Sequence, residues 1–256
     1  MNSAHVAVEI EGADRPGEVV LVCEHALNAF PAPWGDLGLT PDQREAHIAW
    51  DPGALGLARG LAAQLEAPLV AARQSRLIYD LNRPPHHPGA MPVTSEIHDI
   101  PGNAALSPDD RSARTEALYE PFHAALRSLI AERLARGRPT ALVTVHSFTP
   151  IWFGKPRAVE LGVIHDADPS LAQAVLEEAR RVTELDARLN EPYSGADGVC
   201  HTLALQATPM GLPNVMLELR NDLIADPTAQ EAMAATLAPV LQTALSQITA
   251  NNGEAA

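Results

Sequence analysis

The side chains able to do chemistry in this chain gather where apolar runs stop. "VVLVCEHALNAFP" (19–31) places Glu24, His25 and Asn28 directly after four apolar residues and a cysteine. "TALVTVH" (140–146) ends on His146, with Ser147 next, and "PNVMLEL" (213–219) carries Glu218 ahead of Arg220 and Asn221. "SRLIYDLNRP" contributes Arg76, Asp80, Asn82 and Arg83. Two imidazoles and a carboxylate around an ion with one open position form the usual plan of a catalytic zinc site. Such an ion lowers the pKa of its water and polarises a carbonyl. Either histidine alone reads equally well as a hydrogen-bonded core residue; two strands ending alike favour the metal. The third ligand stays open among Asp51 in "HIAWDPGA", Glu24 and Asn28, and the spacing is not that of HExxH. Zn²⁺, or another divalent metal, is the expected cofactor.

A carboxylate inside an apolar strand suits a general base, because burial raises its pKa toward the working range. Glu218 is that candidate. Its structural alternative is an ion pair with Arg76 or with Arg220, which shares its strand face. Arg76, Arg83 and Asn82, with Arg220 beside the base, suit the carboxylates of an acidic substrate, since arginine grips a carboxylate as a rigid fork. The alternative for this segment is an Asp80–arginine pair that ties a loop down. Tyr193, in the turn-rich "NEPYSGADG" (190–198), could donate to a developing oxyanion or merely anchor its loop. Ser147 lacks a G-x-S-x-G elbow, and neither G-x-G-x-x-G nor a P-loop occurs. His86 and His87 read as solvated; His123 falls on a helical pattern facing site or core, and His201 has no supporting context.

Strands must deliver these residues. Buried strands are predicted at 19–23, 67–72, 76–81, 140–146, 159–165 and 213–219. Helical patterns separate them: one or two helices over 41–66 interrupted near Pro52, a stretch over 107–137 capped by Ser107 or Asp109 and ending at Gly137, and helices at 168–182 and 227–248. Continuous apolar strands alternating with helices predict an α/β fold, a mostly parallel, mixed sheet covered on both faces. Sites in such sheets gather at the carboxyl ends of the strands. The proline-rich loop 82–108 is long enough to be functional or mobile. One domain over 1–256 is expected, with its core at about 17–249 and a frayed tail.

The formal charge of −14 and the lack of any basic cluster exclude nucleic acid as a partner. No apolar run is long enough to span a membrane and the N-terminus does not read as a signal peptide, so cytoplasmic residence is expected. Cys23 and Cys200 read as buried free thiols. The oligomeric state is left open.

"CEHALNAFP", "HIAWDPGALGLARGLAAQL", "SRLIYDLNRP", "VHSFTP", "NEPYSG" and "LELRNDLI" stand in an order that resembles the N-formylglutamate amidohydrolase family, over about residues 17–245. The resemblance implies hydrolysis of N-formyl-L-glutamate to formate and L-glutamate, a late step in one route of histidine degradation. The motifs are also similar to those of the wider zinc carboxypeptidase and aspartoacylase group. That likeness implies a zinc carboxypeptidase-like fold, His25 and His146 as ligands, Asn82 and Arg83 on the substrate carboxylate, and Glu218 as base. Asn28 stands where that group keeps a glutamate ligand, and Asp51 is the expected replacement. Two competing expectations remain: a hydrolase of another N-acyl amino acid or short peptide amide, and a non-catalytic binding protein without metal.

Overall fold

The computed structural model describes residues 7–254, with side chains over 7–250. Seven strands form one sheet: β1 (Val8–Glu11), β2 (Val19–Cys23), β3 (Leu69–Ala72), β4 (Ala141–Phe148), β5 (Leu161–Ile164), β6 (Ala187–Leu189) and β7 (Asn214–Arg220). Their spatial order is β1-β3-β2-β4-β7-β5-β6. β3, β2, β4 and β7 run parallel, β5 pairs antiparallel to β7 and parallel to β6, and β1 pairs antiparallel to β3. The mostly parallel, mixed sheet expected from the apolar runs is present.

All five residues of β2 are buried, because helices cover both faces. Val19, Leu21 and Cys23 enter one core with α2 (Ala54–Gln64), α5 (Ser170–Val182) and α7 (Pro227–Glu254); Val20 and Val22 enter the other with α4 (Glu120–Ala135) and α6 (His201–Gln206). This is the two-residue alternation of a strand between two layers. Both cysteines are buried and unpaired.

Two short helices carry capping boxes. α1 (Pro41–Glu45) starts at Thr40, and α3 (Pro108–Arg114) starts at Ser107, whose hydroxyl accepts from the Asp110 N–H at 3.1 Å. α3 passes through a π-helical turn, Thr115–Tyr119, into α4. Pro52 separates α1 from α2 as expected, while α7 runs beyond the expected end at 248 to Glu254. Residues 255–256 of the tail expected to fray lie outside the described residues, as do the side chains from 251.

The strand expected at 76–81 does not form. β1 occupies the outer edge of β3, and "RLIYDL" runs as a turn-rich loop with Leu77, Ile78, Tyr79 and Leu81 in the second core. Side chains take the place of a ladder: Asn103 donates to the Leu77 carbonyl (2.8 Å), Arg114 to Ile78 (3.0 Å) and the His123 ring to Leu81 (2.9 Å). Buried backbone groups need partners, and here they find them without a strand. β1 and β6 lie outside the predicted strands. Loop 82–108 is folded by short turns and a small hairpin (Thr94–Ser95 with His98–Asp99), with buried Asn103 bridging it to the 76–81 segment.

Candidate active site

The carboxyl ends of β2, β4 and β7 share one edge of the sheet. His25 lies two residues past β2, and His146 in β4 stands in register with Glu218 in β7. Asp51 comes from the turn before α2, where its backbone N–H donates to the His25 carbonyl at 3.0 Å. All four side chains are buried.

Three donor atoms converge. Asp51 Oδ2 lies 2.8 Å from His146 Nδ1 and 3.2 Å from His25 Nδ1, and the two Nδ1 atoms are 3.2 Å apart. Ligand atoms held tetrahedrally about 2.0–2.1 Å from zinc are separated by about 3.3–3.4 Å, so the triangle has nearly the size the ion requires. The far nitrogens are held from behind. Asp80 Oδ1 lies 2.7 Å from His25 Nε2, and Glu24 Oε2 lies 3.1 Å from His146 Nε2. A carboxylate behind Nε2 turns Nδ1 inward, the arrangement that orients metal-binding histidines; Asp80 does this through a hydrogen bond, Glu24 through an ion-pair contact outside hydrogen-bond geometry. Against burial, the carboxylates raise the pKa of both imidazoles, and binding of an ion at the triangle displaces the Nδ1 protons. Glu24, Asp51 and Asp80 bring three negative charges, of which Arg76 balances one through Asp80 (2.7 Å) and Asp51 (3.3 Å). A divalent cation fits that donor set and that charge.

The buried charges set one another's titration. Burial opposes charge on Asp51 and Asp80, yet the histidines, with Arg76 for Asp80, hold both carboxyls well below the usual range. Burial also opposes protonation of His146, but Glu24 and Asp51 raise its pKa well above the ordinary value. Glu218 goes the other way: burial pushes it up to about 7, and its Oε2 has no hydrogen-bond partner among the described residues. A carboxyl near neutrality beside the donor triangle is placed to exchange a proton.

His25, Asp51, Asp80, His146 and Glu218 line a cavity of about 350 Å³. Arg76, Asn82, Arg83 and Tyr193 reach it, as do His47, Ser95, Phe148 and Trp152, which the sequence did not single out. Asn82 is already engaged. Its amide nitrogen donates to the Val199 carbonyl and its oxygen accepts from the Thr202 N–H (2.9 Å), leaving one amide hydrogen for a ligand. Arg83 donates to the Asp197 carbonyl (2.8 Å) and, among the described residues, has no carboxylate partner. The Arg76–Asp80 pair weighed as an alternative is present, but no ion pair joins Glu218 to Arg76 or Arg220 among the described residues.

Two expected site residues are placed elsewhere. Asn28 donates to the Arg44 carbonyl (3.0 Å) and to Glu45 (3.1 Å), because the chain has already turned toward α1. Arg220 ends β7 against Asp222 (2.8 Å) and Glu160 (3.3 Å) and does not line the cavity. Glu24 stands behind His146 and not in the donor triangle. His123 faces the core. His201 accepts from or donates to the Tyr119 hydroxyl at 2.8 Å.

Residues 17–225 match the family described as N-formylglutamate amidohydrolase. Among solved structures, the gene product Atu2144 from Agrobacterium tumefaciens is 51% identical, with a TM-score of 0.94, 97% of this chain covered and 98% of that one. The N-formylglutamate amidohydrolase from Ralstonia eutropha JMP134 shares the fold at 18% identity and a TM-score of 0.59, covering 98% of this chain and 99% of that one. No curated protein matches the sequence significantly. Sheet, cavity and matches together define the class, a hydrolase of amide bonds on an α/β scaffold. Within it, the chain belongs to the N-formylglutamate amidohydrolase family. No described helix is long and apolar enough to cross a membrane.

Proposed function

We propose that this protein is a metal-dependent amidohydrolase acting on a small, acidic N-acyl amino acid, with N-formyl-L-glutamate, cleaved to formate and L-glutamate, as the foremost substrate. One observation carries the reading: two carboxylate-backed imidazoles and Asp51 converge on one point beside Glu218, whose carboxyl is buried, partly unpartnered and raised to about 7. His25, Asp51 and His146 would hold Zn²⁺. Bound there, the ion supplies an acidified water and a polarised carbonyl. Glu218 takes the proton of the attacking water and passes it to the amine nitrogen as the amide C–N bond breaks. Arg83, without a carboxylate partner among the described residues, takes a substrate carboxylate, with the remaining Asn82 amide hydrogen beside it. Tyr193 and Arg76 face the oxygen that gains charge as the carbonyl carbon becomes tetrahedral.

Chelation should abolish formate release from N-formylglutamate, and added Zn²⁺ should restore it. Full activity after verified metal removal would end the metal role. The apolar wall of Ile48, Phe148 and Trp152 favours a second reading, in which the acyl group is larger than formyl. A screen of N-acyl glutamates decides it through kcat/KM.

A further inference from the structure

The segment carrying Tyr193 is fixed at two points. Its backbone passes directly over β5, where a Cβ on Gly162 would lie 2.2 Å from the Glu191 carbonyl oxygen, so the close approach requires glycine. Its ring is held by Arg157. The Arg157 guanidinium lies over the rings of Trp152, Tyr193 and Phe148, at 4.9, 5.0 and 5.4 Å from their centroids. One of its N–H groups donates to the Tyr193 hydroxyl oxygen at 3.0 Å. Among the described residues no carboxylate pairs with Arg157, and all three rings line the cavity. A cation seated on aromatic faces gains electrostatically without a counter-ion.

A phenol oxygen accepts as well as donates. With Arg157 on the accepting side, the Tyr193 proton is left to point elsewhere, and the open direction is the cavity. From this geometry we propose that Arg157 is a positioning residue, fixing the Tyr193 hydroxyl as a donor to the substrate oxygen that gains charge in the reaction. The inference rests on the role given above to Tyr193, since Arg157 itself touches no reacting atom. The same clasp ties the hairpin of Ile151–Trp152 and Lys155–Pro156 to the 190–193 segment, so one cation organises a wall of the site. The Tyr193 phenol is raised by burial and by Glu218, and Arg157 opposes that rise.

A double-mutant cycle on the zinc-loaded enzyme tests this. Tyr193→Phe should lower kcat about 10- to 100-fold, toward the cost of losing one oxyanion donor. Arg157→Gln should lower kcat by a similar factor with little change in KM. The double variant should match Tyr193→Phe within about twofold, because the two residues act as one unit. Guanidinium ion should rescue Arg157→Gln in part and the double variant not at all. A double variant whose loss equals the product of the two single losses overturns the proposal, as does wild-type kcat in Arg157→Gln. Circular dichroism checks folding, and Arg157→Lys, which keeps the charge but not the fork, replaces Arg157→Gln if that variant does not fold. If the wild-type enzyme releases no formate, the substrate reading fails, and ultraviolet titration of the phenols decides the present one. One tyrosine midpoint, missing in Tyr193→Phe, should move up in Arg157→Gln; an unmoved midpoint overturns the proposal.

Discussion

Glu218 works against the fold that holds it. Its carboxyl titrates at about 7 in the folded chain against an ordinary 4.5, so between those values the unfolded chain releases a proton that the native state keeps. Stability therefore falls as pH rises through that window. Glu218→Gln has no proton to lose, and the chelated variant should be more stable than the chelated parent at pH 7.5 by about 1–3 kcal/mol, measured by urea unfolding. The same variant should lose about 10²–10⁴-fold in kcat; a near-normal rate would remove Glu218 as the base. Asp80→Asn tests the support of His25 and should weaken zinc binding about 10–100-fold in chelator competition. Unchanged affinity would mean that Asp80 only anchors Arg76. At this scale His25, His146 and Glu218 were legible because each sits at the end of an apolar run. The parts played by Glu24 and Asp80 were not, because which carboxylate reaches which Nε2 depends on how separate segments approach one another. Asn28 and Arg220 misled for the opposite reason: neighbours in sequence, they belong to chain that has already turned away.

Among the elements, the clearest lesson comes from 76–81. Its composition is that of a strand, but a run of buried apolar residues says only that side chains are covered. Whether the backbone pairs in a ladder depends on a free neighbouring edge, and β1 had taken it. Arg114, Asn103 and His123, all distant in sequence, satisfy the carbonyls instead. β2, β4 and β7 were readable because they are central and covered on both faces. His123 yields a prediction at this scale. Burial pushes its pKa down to about 4, while its ring joins α4 to the Leu81 carbonyl and to Gln206 of α6. The native state resists a proton that the unfolded chain accepts below the ordinary 6.5, so stability drops as pH falls from there toward 4. His123→Gln should flatten that dependence by up to about 3 kcal/mol, read from urea midpoints across the window. A slope equal to that of the parent would assign the acid sensitivity to other groups.

For the molecule as a whole, the proposed metal site at His25, Asp51 and His146 would link metal to stability. Three segments meet at His25, Asp51 and His146, and an ion bound there favours only the folded state. Free zinc at 100 times its Kd should stabilise by about 2.7 kcal/mol, visible as a rise in Tm over the chelated protein. An unchanged Tm in the presence of verified binding would mean that the unfolded chain binds as well. The sheet order has a consequence for how the protein is made. β7 is the last strand in sequence, yet it sits between β4 and β5 near the middle of the sheet. Until it emerges from the ribosome, β4 and β5 each present a bare edge, and β5 and β6 have no sheet to join. A nascent chain halted before residue 214 therefore exposes two strand edges to other chains, the condition under which unfinished sheets associate wrongly. The last strand delivered closes both edges and carries Glu218 in with them, so completion of the sheet and acquisition of Glu218 are the same event in biosynthesis, with α7 left to cover one face.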